Sequence, residues 1–475
     1  MNLKQKAING IKWTTFSTIF NSITQLLLIA ILARLLSKND FGLMATISLI
    51  IGFSQIFADL GISKAIIQRQ NILPQELTSI YWFNIFNGLI TSIGIVIVAP
   101  FISTFYDQPL LKELLFTISI LFFIQPFGQL YLTLLQKHLL FKSIAIRDIF
   151  ARTASILLSV YLAFKGYGVY SLLYGQLCFT FVSSIFLFIV GRKIHKVSFY
   201  FRFREIGNFM RFGLFQSGDQ IINFFNSQLD VLVIGKFLGM DQLGVYSIAK
   251  DFISKPLAII NPILTKVAFP VLSKLNTDKT KVKSVYLKML NYLSTLSIPL
   301  YILLFITAPF IVELLFGSTW IDSIIIIQIL VFYYILRAIG NPSGSLMLAM
   351  GKVELSFYWN VMVFILTPIV LFLGRQFGIV GVALSLFLFE LILIIPNWAF
   401  LFKKALNMKL WEYSITFLKP LLFSTFAGVP AFITYLMINN MYIKIFSTTL
   451  VMVLTYLFLL FKYNKNLFTE LKNQF

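Results

Sequence analysis

Fourteen apolar runs, each close to the length a helix needs to cross a bilayer, follow one another along this chain of 475 residues. They lie near residues 11–34, 42–62, 78–104, 112–136, 148–165, 168–190, 209–235, 242–272, 286–314, 322–348, 355–374, 378–401, 413–437 and 441–461. A hydrocarbon core about 30 Å thick takes roughly 20 residues of helix, because a backbone group without a hydrogen bond there costs several kcal/mol. An all-α polytopic membrane protein of about fourteen transmembrane helices follows. The pair around Gly166, Tyr167 and Gly168 is the least separated, and twelve spans is the alternative count. Composition agrees: 58% of residues are hydrophobic and 12% charged, against roughly 45–50% and 25% in soluble domains. That excludes a soluble globular enzyme, and no long polar stretch offers a water-exposed domain.

A net charge of +21 would point to nucleic acid in a soluble chain. Here the cations mostly separate apolar runs, where Lys and Arg mark the cytoplasmic side. Of 39 cations, 29 fall in or within about six residues of the two tails and the even-numbered connections, seven in or beside the odd-numbered connections, and three (Lys250, Lys255, Arg337) deep inside spans. Both termini are therefore expected in the cytoplasm, with no nucleic-acid partner. The basic N-terminal stretch leads into an apolar segment too long for a signal-peptide core, and reads as a retained first span. Outward connections are short, while the inward ones around 192–208 and 273–285 are larger and basic. The single cysteine, Cys178, cannot form an intrachain disulfide, and two histidines, His138 and His195, cannot build a Cys/His metal cage.

Internal repetition organises the spans. At an offset of 202, Trp13 to Ala45 aligns with Phe215 to Ser247 without a gap, pairing Asn21 with Asn223, Leu36 with Leu238 and Gly42 with Gly244. Ala99-Pro100-Phe101-Ile102 recurs as Ala308-Pro309-Phe310-Ile311, and Gly168 matches Gly378. Chance similarity among Leu- and Phe-rich helices is the alternative, and the nearly constant, collinear offsets argue against it. Six spans per repeat is an even number, so the two halves share one orientation, and a transporter so built puts its substrate path between them. The expected division is an N-lobe at 1–200, a C-lobe at 201–405, and two additional spans with a tail at 406–475.

Searching for catalytic chemistry returns absences. There is no phosphate loop, since Gly344 to Gly351 with Lys352 and Val353 has the wrong spacing, and no H-E-x-x-H or Cys-x-x-Cys. Polar residues at membrane depth remain, and these usually face a bundle interior or an aqueous cavity. In span seven Gln216, Asp219, Gln220, Asn223, Asn226, Ser227 and Asp230 recur every three or four residues, as do Thr14, Ser17, Asn21, Thr24 and Gln25 in span one. Two stripes at equivalent positions suggest a lumen, with interhelical hydrogen bonding as the alternative. In span eight Asp251 and Lys255 form an i,i+4 pair, which leaves Lys250 the less committed cation. Arg337, midway along span ten, needs an anion: Asp230, Asp251 or Glu390 from another helix, or a ligand phosphate or carboxylate. Gln125, Gln129, Thr133 and Gln136 line one face of span four; Asp59 lies near the inner end of span two and Glu390 in the inner half of span twelve. Arg147, Asp148 and Arg152 open span five, where interfacial anchoring is their ordinary role.

The pattern L-L-S-x-x-D-F-G from Leu35 to Gly42, and D-x-L-x-I-G-x-x-L-G-x-x-x-L-G-x-Y-x-x-A from Asp230 to Ala249, carry a resemblance. With the twin six-helix halves and two extra spans, the chain resembles polysaccharide exporters of the multidrug/oligosaccharidyl-lipid/polysaccharide superfamily, and within it Wzx-type, colanic-acid-exporter-like flippases. The resemblance implies movement of undecaprenyl-pyrophosphate-linked oligosaccharide to the outer leaflet by alternating access, with a cationic cavity and, in several relatives, coupling to an ion gradient. The motif's acidic position is Asp230; no shared motif covers Arg337, Lys250 or Lys255, which rest on the residue reading alone.

The expectation is therefore a flippase and not an enzyme, without a cofactor beyond Na+ or H+ as coupling ion. Arg337, Lys250, Lys255 and Arg152 would attract pyrophosphate or acidic sugars, and Gln25, Asn21 and Asn223 would solvate the glycan. Asp230, Asp219, Asp59 and Glu390 are candidates for ion coupling. Membrane lipids and the lipid-linked oligosaccharide are the expected partners, with the polymerase and glycosyltransferases of the same pathway as associates. A cation-coupled multidrug or metabolite antiporter of the same architecture is the first alternative; a membrane glycan polymerase or glycosyltransferase is the second, and it lacks the sizeable external loop such chemistry normally uses.

Overall fold

The computed structural model describes residues 3–69, 71–275 and 278–463, with the backbone alone described at 3–9, 11, 208, 211–216, 219 and 262–271. Helices coincide with all fourteen apolar runs. They are α1 (Leu3–Ala33), α2 (Lys38–Asp59), α3 (Ile62–Gln68), α4 (Pro74–Tyr106), α5 (Leu110–Ile124), α6 (Pro126–Lys137), α7 (Phe141–Phe164), α8 (Val169–Gly191), α9 (Phe203–Phe237), α10 (Met240–Lys274), α11 (Lys279–Leu315), α12 (Ser323–Gly340), α13 (Ser343–Ala349), α14 (Val353–Gly374), α15 (Gly378–Asn397), α16 (Lys404–Leu406), α17 (Leu410–Met437) and α18 (Met441–Tyr463). Among the described residues no strand occurs. Nine helical stretches among them, or ten with the bent pair α5 and α6 taken as one span, are long and apolar enough to cross a membrane by themselves. The span-five, span-seven and span-eight helices α7, α9 and α10 carry charged and amide side chains within their apolar runs.

The chain divides into two compact units, Met1–Ser247 and Ile248–Phe475. In the first, α7 packs on α8 and α1, α4 on α5, and α2 on α9. A buried cluster of Ile62 and Ile66 from α3, Ile80 and Tyr81 from α4, Leu130 and Tyr131 from α6, and Phe209 from α9 seats the short helix α3. In the second, α11 packs on α12 and α17, α15 on α12 and α14, and α17 on α18. Large apolar side chains such as Phe101, Phe164, Ile392 and Phe446 stay exposed, as a lipid-facing surface requires.

Several spans are broken where the backbone demands it. After α2 both Leu60 and Gly61 are left-handed, at φ 43° and 67°, and α3 restarts in a new direction. Between α5 and α6 the axis bends by 48° at Gln125–Pro126, because proline has no N–H to give the carbonyl four residues earlier. In span ten α12 gives way to α13 at Asn341–Pro342, and the two run on as one stretch from Ser323 to Ala349.

The offset of 202 has a direct counterpart in space. A Cβ on Gly42 would sit 2.0 Å from the Met240 carbonyl oxygen, and one on Gly244 would sit 1.9 Å from that of Lys38. Met240 lies 202 residues after Lys38, and Gly244 the same distance after Gly42. The contact is thus reciprocal, as a local two-fold axis requires, and only a residue without a side chain permits so close an approach. Gly168 and Gly378, matched in the repeat, share a positive φ of 53° and 68° ahead of α8 and within the turn that opens α15. Pro100 and Pro309 both lie inside their helices, α4 and α11.

In the motif from Leu35 to Gly42, Ser37 and Asp40 have structural roles beside that of Gly42. Ser37 caps α2: the Asp40 N–H donates to its Oγ at 3.2 Å, and its own N–H donates back to Asp40 Oδ2 at 2.9 Å. The other Asp40 oxygen accepts from the Val169 N–H at 2.9 Å, so one carboxylate caps both α2 and the start of α8.

Candidate functional site

Arg337 stands in the last turn of α12, where its charge faces the negative end of the helix dipole. Its Nη1 lies 3.4 Å from Glu390 Oε1 of α15, with the side chains 37% and 23% exposed, and its guanidinium lies 5.8 Å from the centre of the Tyr333 ring. The anion Arg337 requires is therefore supplied within the second unit by Glu390, one of the three carboxylates the sequence offered. Glu390 borders a small cavity of about 20 Å3, lined by Asn397 and Tyr413 among others.

On α10, Asp251 lies within electrostatic reach of Lys255 and, more weakly, of Lys250. One carboxylate between two ammonium groups leaves a net positive charge along this stretch, and Lys250 is part of the arrangement with Asp251 instead of standing apart from it.

The Arg147, Asp148 and Arg152 group is packed between α7 and α8. Arg147 pairs with Asp148, their side chains only 12% and 18% exposed, and its Nη1 donates to Ser183 Oγ at 3.0 Å. The Arg152 guanidinium lies 4.7 Å from the centre of the Phe179 ring. Both Nε–H groups are buried without an acceptor among the described residues. One carboxylate pairs with Arg147 and lies within electrostatic reach of Arg152, and two charged Nε–H donors have no acceptor among the described residues. Sequence reasoning had Arg152 as a site residue but read Arg147 as an anchor, because burial between two helices is invisible in charge order.

The stripes of spans one and seven are less uniform. Asn21 and Gln25 on α1 are half-buried and Asn223 on α9 is exposed, while Asn21 Oδ1 is buried without a donor among the described residues. The Asp219 side chain lies outside the described residues. Asp230 is 6% exposed; its Oδ2 accepts the Tyr246 hydroxyl at 2.6 Å and its Oδ1 the Val231 N–H at 2.9 Å. Asp230 and Tyr246 are the first and the last-but-one lettered residues of the second motif, so the motif records a buried bond that joins α9 to α10 across the Leu238–Gly239 turn. A hydrogen bond to a buried carboxylate contributes about 2 kcal/mol. Tyr246→Phe is expected to lower unfolding stability in detergent by that amount, and a change under about 0.5 kcal/mol would show the bond to be idle.

Asp59 is the last residue of α2. Its Oδ1 accepts from the Ser63 hydroxyl and, at 3.4 Å, from Gln129 Nε2, and Thr133 reaches Ser63 Oγ at 3.2 Å. Beside it lies a cavity of about 20 Å3 whose walls include Gln55, Asn84, Phe122 and Gln125. The structure thus joins Asp59 to the amides of span four; Asn84 and Ser63 were not read from the sequence, and the Leu-Gly pair that ends α2 is the signal that could have found them. Arg337 with Glu390, Lys250 and Lys255 with Asp251, Arg152 with Asp148, and Asp59 with Gln129 are brought together. Among the described residues no three His, Cys, Asp or Glu side chains gather as metal ligands would.

Comparison with known proteins gives concordant findings. The profile of a family described as "Polysaccharide biosynthesis protein" matches residues 31–325. The chain is 30% identical over 421 residues to the lipopolysaccharide biosynthesis protein WzxC of Escherichia coli, covering 88% of this chain and 86% of that one. It is 30% identical over 433 residues to the teichuronic acid biosynthesis protein TuaB of Bacillus subtilis, covering 91% and 89%. Among solved structures, the lipid II flippase MurJ in an inward closed conformation superposes with a TM-score of 0.77 at 16% identity, over 96% of this chain and 100% of that one. At that identity the likeness is one of fold.

Proposed function

The chain belongs to the polysaccharide biosynthesis protein family, and from that membership we propose that it moves an undecaprenyl-pyrophosphate-linked oligosaccharide, the repeat unit of an O-antigen, capsule or exopolysaccharide, from the inner to the outer leaflet of a bacterial cytoplasmic membrane. The observation that carries the reading is the α7 and α8 cluster: Arg147 pairs with Asp148, Arg152 lies within electrostatic reach of it, and the buried Nε–H groups of both arginines have no acceptor among the described residues. Charge-assisted donors of this kind suit a diphosphate, whose oxygens guanidinium forks bind in pairs. Cation placement puts this end of α7 on the cytoplasmic side, where such a substrate is made, and puts both termini there too. Arg337, Lys250 and Lys255 supply positive charge on helices of the second unit. The polyprenyl tail stays in lipid, so alternating access need carry only the polar head. A cation gradient, Na+ or H+, drives the cycle, and the polymerase and glycosyltransferases of the pathway are the natural associates.

The antiporter reading draws its cargo to exposed carboxylates, whereas Asp230 is buried and engaged by Tyr246. A glycosyltransferase or polymerase would make or break a glycosidic bond, and Asp148, Asp230 and Glu390 are engaged in ion pairs or hydrogen bonds. Deleting the gene tests the proposal. Surface glycan should vanish while the lipid-linked repeat accumulates in the inner leaflet, out of reach of lectin added to intact spheroplasts, and drug tolerance should stay unchanged. Lectin-accessible repeat in the deletion strain, or drug sensitivity with normal glycan, would sink it.

A further inference from the structure

We propose that the break at the end of α2 and the bend between α5 and α6 together form a binding site for one monovalent alkali cation, sodium in the first instance, with Asp59 as its charged ligand.

Asp59 is a carboxylate in a spanning segment with no Lys or Arg paired to it among the described residues. Its hydrogen bonds from Ser63 and Gln129 both fall on Oδ1, and Oδ2 receives none among the described residues. An unpaired charge at membrane depth is costly, and it is retained where it faces a partner or a polar cavity. The cavity at Asp59 is of that kind. At about 20 Å3 it has room for a water-sized occupant, and its walls carry the amides of Gln55, Asn84 and Gln125, none of which makes a hydrogen bond among the described residues. Asn84 is only 6% exposed, so its amide has little water to turn to instead.

Two backbone features add to the negative potential there. Pro126 has no N–H for the Phe122 carbonyl, and Phe122 lines the same cavity. The C-terminal end of α2, the negative end of its dipole, closes at Asp59, with the Phe57 and Ala58 carbonyls already capped by Asn87 Nδ2 at 2.7 and 3.0 Å. In transporters with discontinuous helices, unwound backbone carbonyls and half-helix C-terminal ends coordinate Na+. Lys137, the cation at the far end of α6, is held by the carbonyls of Ile66 and Arg69.

The small cavity of the second unit makes the contrast. Its carboxylate, Glu390, already has Arg337, so a cation there would be repelled. One carboxylate with neutral oxygens favours a monovalent over a divalent ion, which is ordinarily held by several carboxylates. Occupancy would tie α2, α4, α5 and α6 together at the point where α2 and the α5–α6 pair are broken. The driving role of this ion rests on the flippase reading; the site itself does not.

The test is equilibrium binding of radioactive sodium to the full-length protein in lipid nanodiscs, with N-methylglucamine holding ionic strength constant. Saturable binding of one ion per chain is expected, weakened about tenfold or more by Asp59→Asn, which keeps the side-chain shape. Gln125→Ala, which removes no hydrogen bond, should weaken it several-fold without lowering thermal stability. Binding that does not saturate in the wild type, or an affinity unchanged in both variants, would overturn the site. Surface glycan is scored in the same strains. Absent sodium binding with normal export removes the site and leaves the flippase reading intact; Asp59-dependent binding in a protein whose deletion leaves export normal does the reverse.

Discussion

Cells whose only copy carries Arg337→Ala are expected to show almost no surface glycan, with the protein still inserted in normal amount. Arg337 sits in the final turn of α12, 3.4 Å from Glu390 and beside the Tyr333 ring. Removing the guanidinium leaves Glu390 without its partner. Breaking a fully buried pair ordinarily costs about 3 kcal/mol or more, but these side chains are 37% and 23% exposed, so solvent offsets much of that cost. Insertion, set by the hydropathy of the whole span, should survive. The double variant Arg337→Gln with Glu390→Gln separates structure from transport, because it replaces the ion pair by two neutral amides. If Arg337 serves only to neutralise Glu390, the double variant restores glycan; if Arg337 also meets the anionic substrate, glycan stays absent while stability recovers. Full export in the single variant would remove Arg337 from the transport machinery.

The second large effect is expected at the reciprocal glycine contact. Gly42→Ala and Gly244→Ala each place a methyl group 2.0 or 1.9 Å from a carbonyl oxygen of the facing helix. Backbone cannot rotate away as a side chain can, so the two helices must separate. Overpacking of this order costs about 2–3 kcal/mol. Gly94→Ala is the matched control: it lies within α4 with nothing inside 4 Å of its Cβ, and alanine there should be neutral or stabilising by about 0.5–1 kcal/mol. Unfolding curves in the same detergent, with export measured alongside, decide the matter. Gly244→Ala unfolding together with Gly94→Ala would show that α2 and α10 do not pack this closely in the working protein.

Much of this architecture was legible beforehand. Hydropathy over about 20 residues is a local property, so all fourteen runs are found as helices. Repeat offsets were equally plain, and Gly42, Gly168, Gly244 and Gly378 acquire a physical reason only in the structure: two are needed for close approach and two for a left-handed turn. Site assignments were harder. Span-seven periodicity placed Asp230 in a polar stripe, yet its carboxylate is buried and held by Tyr246, sixteen residues away on the next helix. Arg147 and Arg152 looked like anchors or lone ligands, and burial against α8 made them a cluster with unmet donors.

What the sequence by itself determined is whatever depends on neighbours along one helix: the spans, the cation asymmetry, and the need of Arg337 for an anion. Tertiary structure alone decided the partners. Glu390 is 53 residues from Arg337, and Gln129 is 70 from Asp59; helix period says which face each occupies but not which face it meets. Pairing between helices is set by packing over the whole bundle, and a charge in a membrane finds its counterpart there or is not tolerated.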